Sequence, residues 1–482
     1  MTSLPAALSL LEAEGLLRPA PTTESEYLFR HALLREAAYA SLLKNDRRNV
    51  HRVVGETLTQ LYGDVTPEVV PVLARHFAEA GRAEQALRYF LCAAEQAAHR
   101  YANAEALSHY TEAHALATRL IEQGPVPLET WQTIYLGRGR VLELHSRQAD
   151  ALADYEHLLT LAQARADMAG ELAALVAIAI LRITPTPLHN LAIGEPLAHR
   201  ALALAEQLAN QHARARVHWL MLLLHHYRND YATAVTYGEQ AVQLARALGW
   251  EELLAYALND LHAPYEYLRR YPDARAVLDE AAGLWRRLGN WPMLADTLGN
   301  LAGDIFQSYA WAEGFACTAE IRRISAPINN LWGLTYADWI EGYAYLSRGE
   351  WAAGLSAIER AFTLGQQGGL LDAQVFLLKT RASTLIALGD TETAWATLRQ
   401  AYALVEAHIP AYRRSLIITE IWMHIVTGDY AQAQQLLAKH CPSRAAEMGE
   451  LDPRAQWPLL NIEIHLAIGQ PEPARALAER IL

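Results

Sequence analysis

Apolar residues recur along this chain at helical spacing, in runs that come in pairs. Between Trp250 and Gly289, Leu253, Leu254, Ala257, Leu258 and Leu261 mark one helical face, and RRYPD interrupts it. Ala274, Val277, Leu278, Ala281, Ala282 and Trp285 then mark a second face. Steps of three and four residues place each set on one side of a helix, so the segment predicts a helical hairpin. A column of small residues returns every forty positions through the last two-thirds of the chain: Ala151, Gly194, Ala234, Ala274, Gly314, Gly354, Ala394, Ala433 and Ala474. Seven residues later come Ala201, Ala241, Ala281, Ala361 and Ala401. Three residues earlier stand Tyr231, Tyr271, Trp311, Trp351 and Tyr430. A fixed period of this kind is the signature of stacked repeats, each burying its face only against its neighbours.

The small column has a steric reading. Only Ala or Gly lets the two helices of a hairpin cross closely, and overpacking such a contact costs about 1–3 kcal/mol. The aromatic column is expected to wedge the turn between the helices and not to meet ligands. Proline punctuates the same scheme. Pro196, Pro272, Pro471 and Pro473 fall at or near the first turn of second helices, where a missing N–H costs little, and Pro292, Pro327, Pro410 and Pro442 fall in links. Pro264 sits inside a first helix and is expected to kink it or end it early.

Composition narrows the function classes. The chain has 482 residues, 52% of them hydrophobic, which is too long for one ordinary compact domain yet ample for a continuous core. A net charge of -12, with lysine only at 44, 379 and 439, does not favour a phosphate-binding track, so no direct nucleic-acid contact is expected. Cys92, Cys317 and Cys441 are isolated and suit a reduced compartment without a zinc cluster. The apolar run LAALVAIAIL at 172–181 is too short to cross a bilayer, and the N-terminus has no basic region of a secretory signal. A soluble, cytoplasmic protein is the expectation.

The phrases TGDYAQAQQLLAKH and RNDYATAVTYGEQAVQL resemble the turn and second helix of tetratricopeptide repeats. The resemblance covers roughly residues 68–482, with a poorer fit at 115–150 and at ITPTPLHN, 183–190. It implies an all-α, right-handed superhelical solenoid of helical hairpins, each helix about a turn longer than in that family. The first hundred residues carry a second resemblance. LPAALSLLEAEGLLRPA, YLFRHALLREAAYASLL with Arg48 and His51, and LARHFAEAGRAEQALRYFLCAAEQA are similar to the junction in bacterial STAND-type signalling ATPases, including those fused to adenylate cyclases. There a winged helix precedes a helical array. The resemblance implies a winged-helix remnant over 1–60, with a wing strand at 27–31 and a helix at 32–43, and a repeat array over 61–482. It also implies an upstream NTPase or cyclase domain as a partner in cis.

No GxxxxGK[ST], HExxH, GxSxG or complete GxGxxG occurs, so neither a phosphate loop nor a hydrolytic centre is expected. His218, His225 and His226 share a helix without carboxylate or thiolate partners at ligand spacing, and are read as packing or surface residues, with no metal or other cofactor expected. The remaining candidate is the concave groove lined by first helices. Counting back from the small column assigns it Arg216, Trp219, Leu223, Tyr256, Asn259, Asp296, Tyr336, Trp339, Tyr343, Phe376, Lys379 and Trp422. Aromatics with a few polar groups suit a protein or peptide partner, with a small-molecule effector as the alternative. A one-residue error of register would instead turn half of these into core. Nine repeats stacked at about 10 Å per helix layer predict an elongated array on the order of 100 Å along its contour. Small-angle scattering should return an extended profile, and a sphere-like radius of gyration would contradict the repeat reading.

Overall fold

The computed structural model describes residues 4–20, 23–63, 66–122, 124–145, 147–184, 186–409, 412–440 and 456–481. Pro410, Cys441 and Pro442 lie outside these residues. The chain divides into two compact units, 1–141 and 142–482.

The first unit opens with α1 (Leu4–Ala13), strands β1 (Leu17–Ala20) and β2 (Thr23–Phe29), and α2 (Ala32–Ser41). The expected strand at 27–31 is shifted, ending at Phe29, and it has a partner that the sequence reading lacked. Gly15, at φ +69°, turns the chain out of α1. β1 then pairs antiparallel with β2, Leu17 opposite Phe29 and Pro19 opposite Tyr27. Arg18 and Pro19 hide this four-residue strand, since neither belongs to an alternating apolar pattern. Five helices follow: α3 (Lys44–Tyr62), α4 (Val70–Glu79), α5 (Ala83–His99), α6 (Asn103–Leu120) and α7 (Leu128–Leu144). Their core is built on Leu73, Phe77, Phe90 and Tyr110, all buried, with Phe77 stacked on Tyr89 at 5.4 Å. Neither α1 nor α2 buries a single residue.

The second unit is a run of helices. After α8 (Gln148–Ala164) come α9 (Met168–Ile183), α10 (Leu191–Gln207), α11 (Gln211–Tyr227), α12 (Tyr231–Ala247), α13 (Glu251–Tyr267) and α14 (Tyr271–Leu288). Then come α15 (Trp291–Gln307), α16 (Trp311–Ser325), α17 (Leu331–Ser347), α18 (Trp351–Gln367), α19 (Leu371–Ala387) and α20 (Thr391–His408). α21 (Arg413–Val426), α22 (Tyr430–His440) and the helices Gln456–Ala467 and Pro471–Ile481 complete it. The arithmetic of the period is visible at α11 and α12. Each has 17 residues, and each is followed by a link of three, so one hairpin with its links fills the forty-residue repeat. The links are stereotyped. Ala209, Asn229, Gly249, Arg269, Gly289, Tyr309, Asn329, Gly349, Gly369 and Gly389, one every twenty residues, all have positive φ. A left-handed residue just past a helix lets its last carbonyls find donors and stops the helix there. Five of these ten are not glycine, although an L side chain pays about 1–2 kcal/mol to sit there.

The small column lies where its steric reading places it. Ala151, Ala234, Ala274, Ala394 and Ala433 have no exposed surface, and Gly194, Gly314 and Gly354 are buried. A Cβ on Gly314 would stand 2.3 Å from the Phe306 ring, and one on Gly354 would stand 2.6 Å from Leu346 and 3.3 Å from the Gly342 carbonyl oxygen. Each contact joins the second helix of a hairpin to the last turns of its first helix. Ala201, Ala241, Ala281, Ala361 and Ala401 are equally buried. Outer ion pairs repeat with the same period, Arg246–Glu280 recurring as Arg286–Glu320.

Two expectations fail here. Pro264 does not end its helix early: α13 continues to Tyr267, with Pro264 and Tyr265 buried, so packing outweighs one lost hydrogen bond. Pro196 likewise lies inside α10 and not in its first turn. The aromatic column is also less uniform than a wedge. Tyr231 stacks on Tyr267 at 4.1 Å and Trp311 packs near Phe306, whereas Tyr271 and Trp351 are largely exposed.

The steric role of the column is testable with two glycines, one in the column and one outside it. Gly354→Val should destabilise the protein by about 1–3 kcal/mol, seen as a lower melting temperature. Gly303→Ala, whose new methyl would have its nearest neighbour 4.0 Å away, should be neutral or stabilising by up to about 1 kcal/mol.

Candidate binding groove

First helices carry the candidate residues, and their side chains meet across successive repeats. At one end Arg216 keeps water contact while protein surrounds it, its guanidinium 5.5 Å from the Trp250 ring; desolvation lowers its pKa. Trp219 and Tyr256 are half-buried with ring centroids 5.5 Å apart, and Tyr256 meets Trp285 edge-on at 4.9 Å. Further along, Trp332, Tyr336, Trp339 and Tyr343 form a row on α17 with successive centroid distances of 5.3, 5.7 and 6.3 Å. Trp339 stacks on Phe376 at 5.5 Å, and Phe376 meets Tyr412 at a right angle, 5.3 Å away. Gly299 makes room for this row, since a Cβ there would fall 2.3 Å from the Tyr336 ring.

Two of the counted positions belong to the interior. Leu223 is buried core, a correction that follows from its facing the α9–α10 hairpin. Asn259 is only 4% exposed and works beneath the groove as a hub. Its Nδ2 donates to Asp260 Oδ1 at 3.3 Å and Asp296 Oδ2 at 3.2 Å, while its Oδ1 accepts from Thr297 Oγ1 at 2.7 Å. Trp219 Nε1 donates to Asp260 Oδ2 at 2.7 Å, and Trp332 Nε1 to Asp296 Oδ1 at 2.9 Å. Tyr336 OH donates to Asn300 Oδ1 at 2.7 Å, and Tyr343, 39% exposed, shares a hydrogen bond of 2.7 Å with Thr380.

Sequence counting passed over Asp260, Asp372, Tyr227 and Tyr412. Asp260 is one residue from a counted position, and Asp372 lies at the start of α19, where a first-turn carboxylate reads as ordinary helix polarity. The Tyr227 phenol feels the charges of Asp260, Asp372 and Asp296, and Tyr412 feels Asp372 and Tyr227. Side chains from α11, α13, α15, α19 and the start of α21 therefore form one electrostatic neighbourhood.

Electrostatics mark this space. Burial, assisted by the charge of Asp296, pushes the Asp260 carboxyl up to about 7, against the hydrogen bonds from Trp219 and Asn259. Burial also raises Asp296 and Asp372. Lys379 is lowered by desolvation, its Nζ 5.2 Å from the Phe376 centroid. Beyond it Lys379, Tyr343, Trp351, Thr380, Thr419 and Trp422 line part of a cavity of about 540 Å³. Trp351, a member of the aromatic column expected to avoid ligands, thus faces this cavity.

The three histidines of α11 are packed residues. His225 stacks on Tyr237 at 5.5 Å and bonds Asp230 at 3.0 Å, while His226 lies against Tyr227, Tyr231 and Tyr267, its pKa lowered by burial to about 4.

The sign of the Asp260 effect follows from linkage. Its folded pKa lies above the unfolded one, so the folded state holds this proton more tightly. The associated stability is complete below about pH 4 and is lost as pH rises towards 7. Each tenfold change in proton affinity is worth about 1.4 kcal/mol. Asp260→Asn keeps an acceptor for Trp219 and removes the charge. It should stabilise the protein by roughly 2 kcal/mol near pH 8, with water in the groove reducing the full effect, and by almost nothing near pH 4.5. Thermal melts across that range check the trend, and a constant difference would contradict it.

No protein-family model matches this chain, and no curated protein sequence matches it. Solved structures do. The complex of a Rap protein with competence and sporulation factor is 14% identical, covers 75% of this chain and 98% of its own, and superposes with a TM-score of 0.50. NprR in complex with its cognate peptide NprX is 11% identical, covers 73% and 95%, and reaches 0.52. A STAND protein with a tetratricopeptide repeat sensor from Pyrococcus horikoshii, 14% identical and covering 78% and 61%, reaches only 0.40, too low for inference. The likeness to the first two shows the fold: this chain carries a tetratricopeptide-like array of helical hairpins.

Proposed function

We propose that this protein is a non-catalytic sensor module that captures a peptide, or an extended segment of a protein partner, on the first helices of its array. What supports the reading is the continuous aromatic row from Trp332 to Tyr412, crossing three helices beside carboxylates whose hydrogen bonds come from neutral groups. Aromatic rungs with a few oriented polar groups suit a chain whose backbone needs both stacking and hydrogen bonds. Two proteins of the same fold were solved in complexes, one with competence and sporulation factor and the other with its cognate peptide NprX. The similarity of the first hundred residues to STAND-type junctions supports a place as the sensor arm of such a regulator, with an upstream NTPase or cyclase domain as its partner in cis. The cavity beside Lys379 favours a second reading, a small effector in place of a peptide.

Trp339 separates binding from folding. It is half-buried, and its indole N–H is buried without an acceptor. Trp339→Ala should abolish retention of peptides from a cell extract while lowering stability by only about 1–2 kcal/mol, well short of the 3–5 kcal/mol typical of a core tryptophan. Loss of binding together with a large loss of stability would remove the support for a groove. A rise in melting temperature with small metabolites, and no retained peptide, would favour the effector reading.

A further inference from the structure

Three carboxylates and one ammonium of the groove have no oppositely charged group in contact, although His262 acts on Asp296 from a distance and Glu463 lines the Lys379 cavity. Asp260 and Asp296 accept hydrogen bonds only from neutral side chains, and Asp372 from backbone N–H groups. Among the described residues none of the three has a basic side chain within 4.0 Å, and Lys379 has no carboxylate within that distance. Elsewhere in the same unit buried charge is neutralised. Arg322 reaches Glu341 at 2.5 Å and Asp338 at 2.7 Å, both carboxylates only 7% exposed. An uncompensated charge removed from water is costly, and a ligand of opposite sign relieves that cost.

The separation has a length. Asp372 and Lys379 stand seven residues apart on α19, two turns along one face, with Phe376 between them. At 1.5 Å per residue that is roughly 10 Å, too far for the two to pair directly. Asn259 joins Asp260 to Asp296, and the charges of all three carboxylates reach Tyr227, while Lys379 lies on the cavity with the hydroxyls of Thr380, Ser383 and Thr419 and, at its exposed rim, Glu463. Between them the Trp339–Phe376 stack offers a flat apolar wall.

We infer that the groove holds a short peptide by both ends, its ammonium among Asp260, Asp296 and Asp372 and its carboxylate at Lys379. This rests on the peptide reading above and adds to it a polarity and a size. An extended chain covers about 3.3–3.6 Å per residue, so roughly three residues fill the gap, and side-chain reach widens this to about five.

The test uses the full chain and mixed libraries of tripeptides to octapeptides in three forms: free, N-acetylated and C-amidated. Peptides retained on ultrafiltration are identified by mass spectrometry. Free peptides of about three to five residues should be enriched at least roughly tenfold over either blocked form, the scale of one charge-assisted contact. Asp372→Asn should erase the preference for a free amino end and keep that for a free carboxylate, and Lys379→Met should do the reverse. Thermal melts establish that each variant is folded, and Asp296→Asn replaces Asp372→Asn if the latter is not. Equal retention of blocked and free peptides overturns recognition of the ends and leaves peptide binding standing. Retention of no peptide in any form overturns both.

Discussion

Everything in the second unit depends on how closely two helices of one hairpin can approach. Gly314 against Phe306 and Gly354 against Leu346 leave no room for a methyl group, and the alanines of the same column are buried. That contact fixes the crossing within a hairpin, and the crossing fixes where the next first helix must lie. The groove is the accumulated result. Tyr336 fits because Gly299 yields its space, and Trp339 meets Phe376 because α17 and α19 are set down one period apart.

The fold was legible because its determinants are local and repeated. A small residue every forty positions survives in the sequence as a visible column, and helical spacing does not depend on context. The β1–β2 hairpin was half hidden, since Arg18 and Pro19 carry no strand pattern and the pairing partner supplies the order. The groove was legible only in part. Counting found the aromatic row from Tyr336 to Phe376, whose members point the same way from their helices. It placed Leu223 and Asn259 on the surface because neighbouring positions on a helix differ by about 100° in direction. It passed over Asp260, Asp372 and Tyr412 because their significance lies in what surrounds them. A carboxylate is unremarked in a sequence until the absence of a basic neighbour is seen in space.

Charge divides the second unit by role. On the outer helices the Arg246–Glu280 and Arg286–Glu320 pairs recur with the repeat, and such exposed bridges contribute little each. Asp338 and Glu341 are buried and held by Arg322, a closed set that leaves nothing for a partner. Asp260 and Asp296 are half-buried and lean on indole and amide donors alone. A site that keeps its carboxylates under-compensated pays in stability for readiness, a pattern that recurs where proteins bind or react.

The left-handed residue that ends each helix has a mechanical consequence. From Ala209 to Gly389 the links share one backbone conformation at one spacing, and five of them hold it with an ordinary side chain. All but one of these links are two or three residues long; the α16–α17 link runs over five, with a 3-10 turn at Ala326–Ile328 that keeps its left-handed residue, Asn329, in register. A guest spanning α13 to α19 would load joints that keep one spacing, and the response would be a small change of pitch shared among them. Such a body behaves as a coil spring, passing on occupancy as a slight rotation of its ends and not as the swing of one part against another.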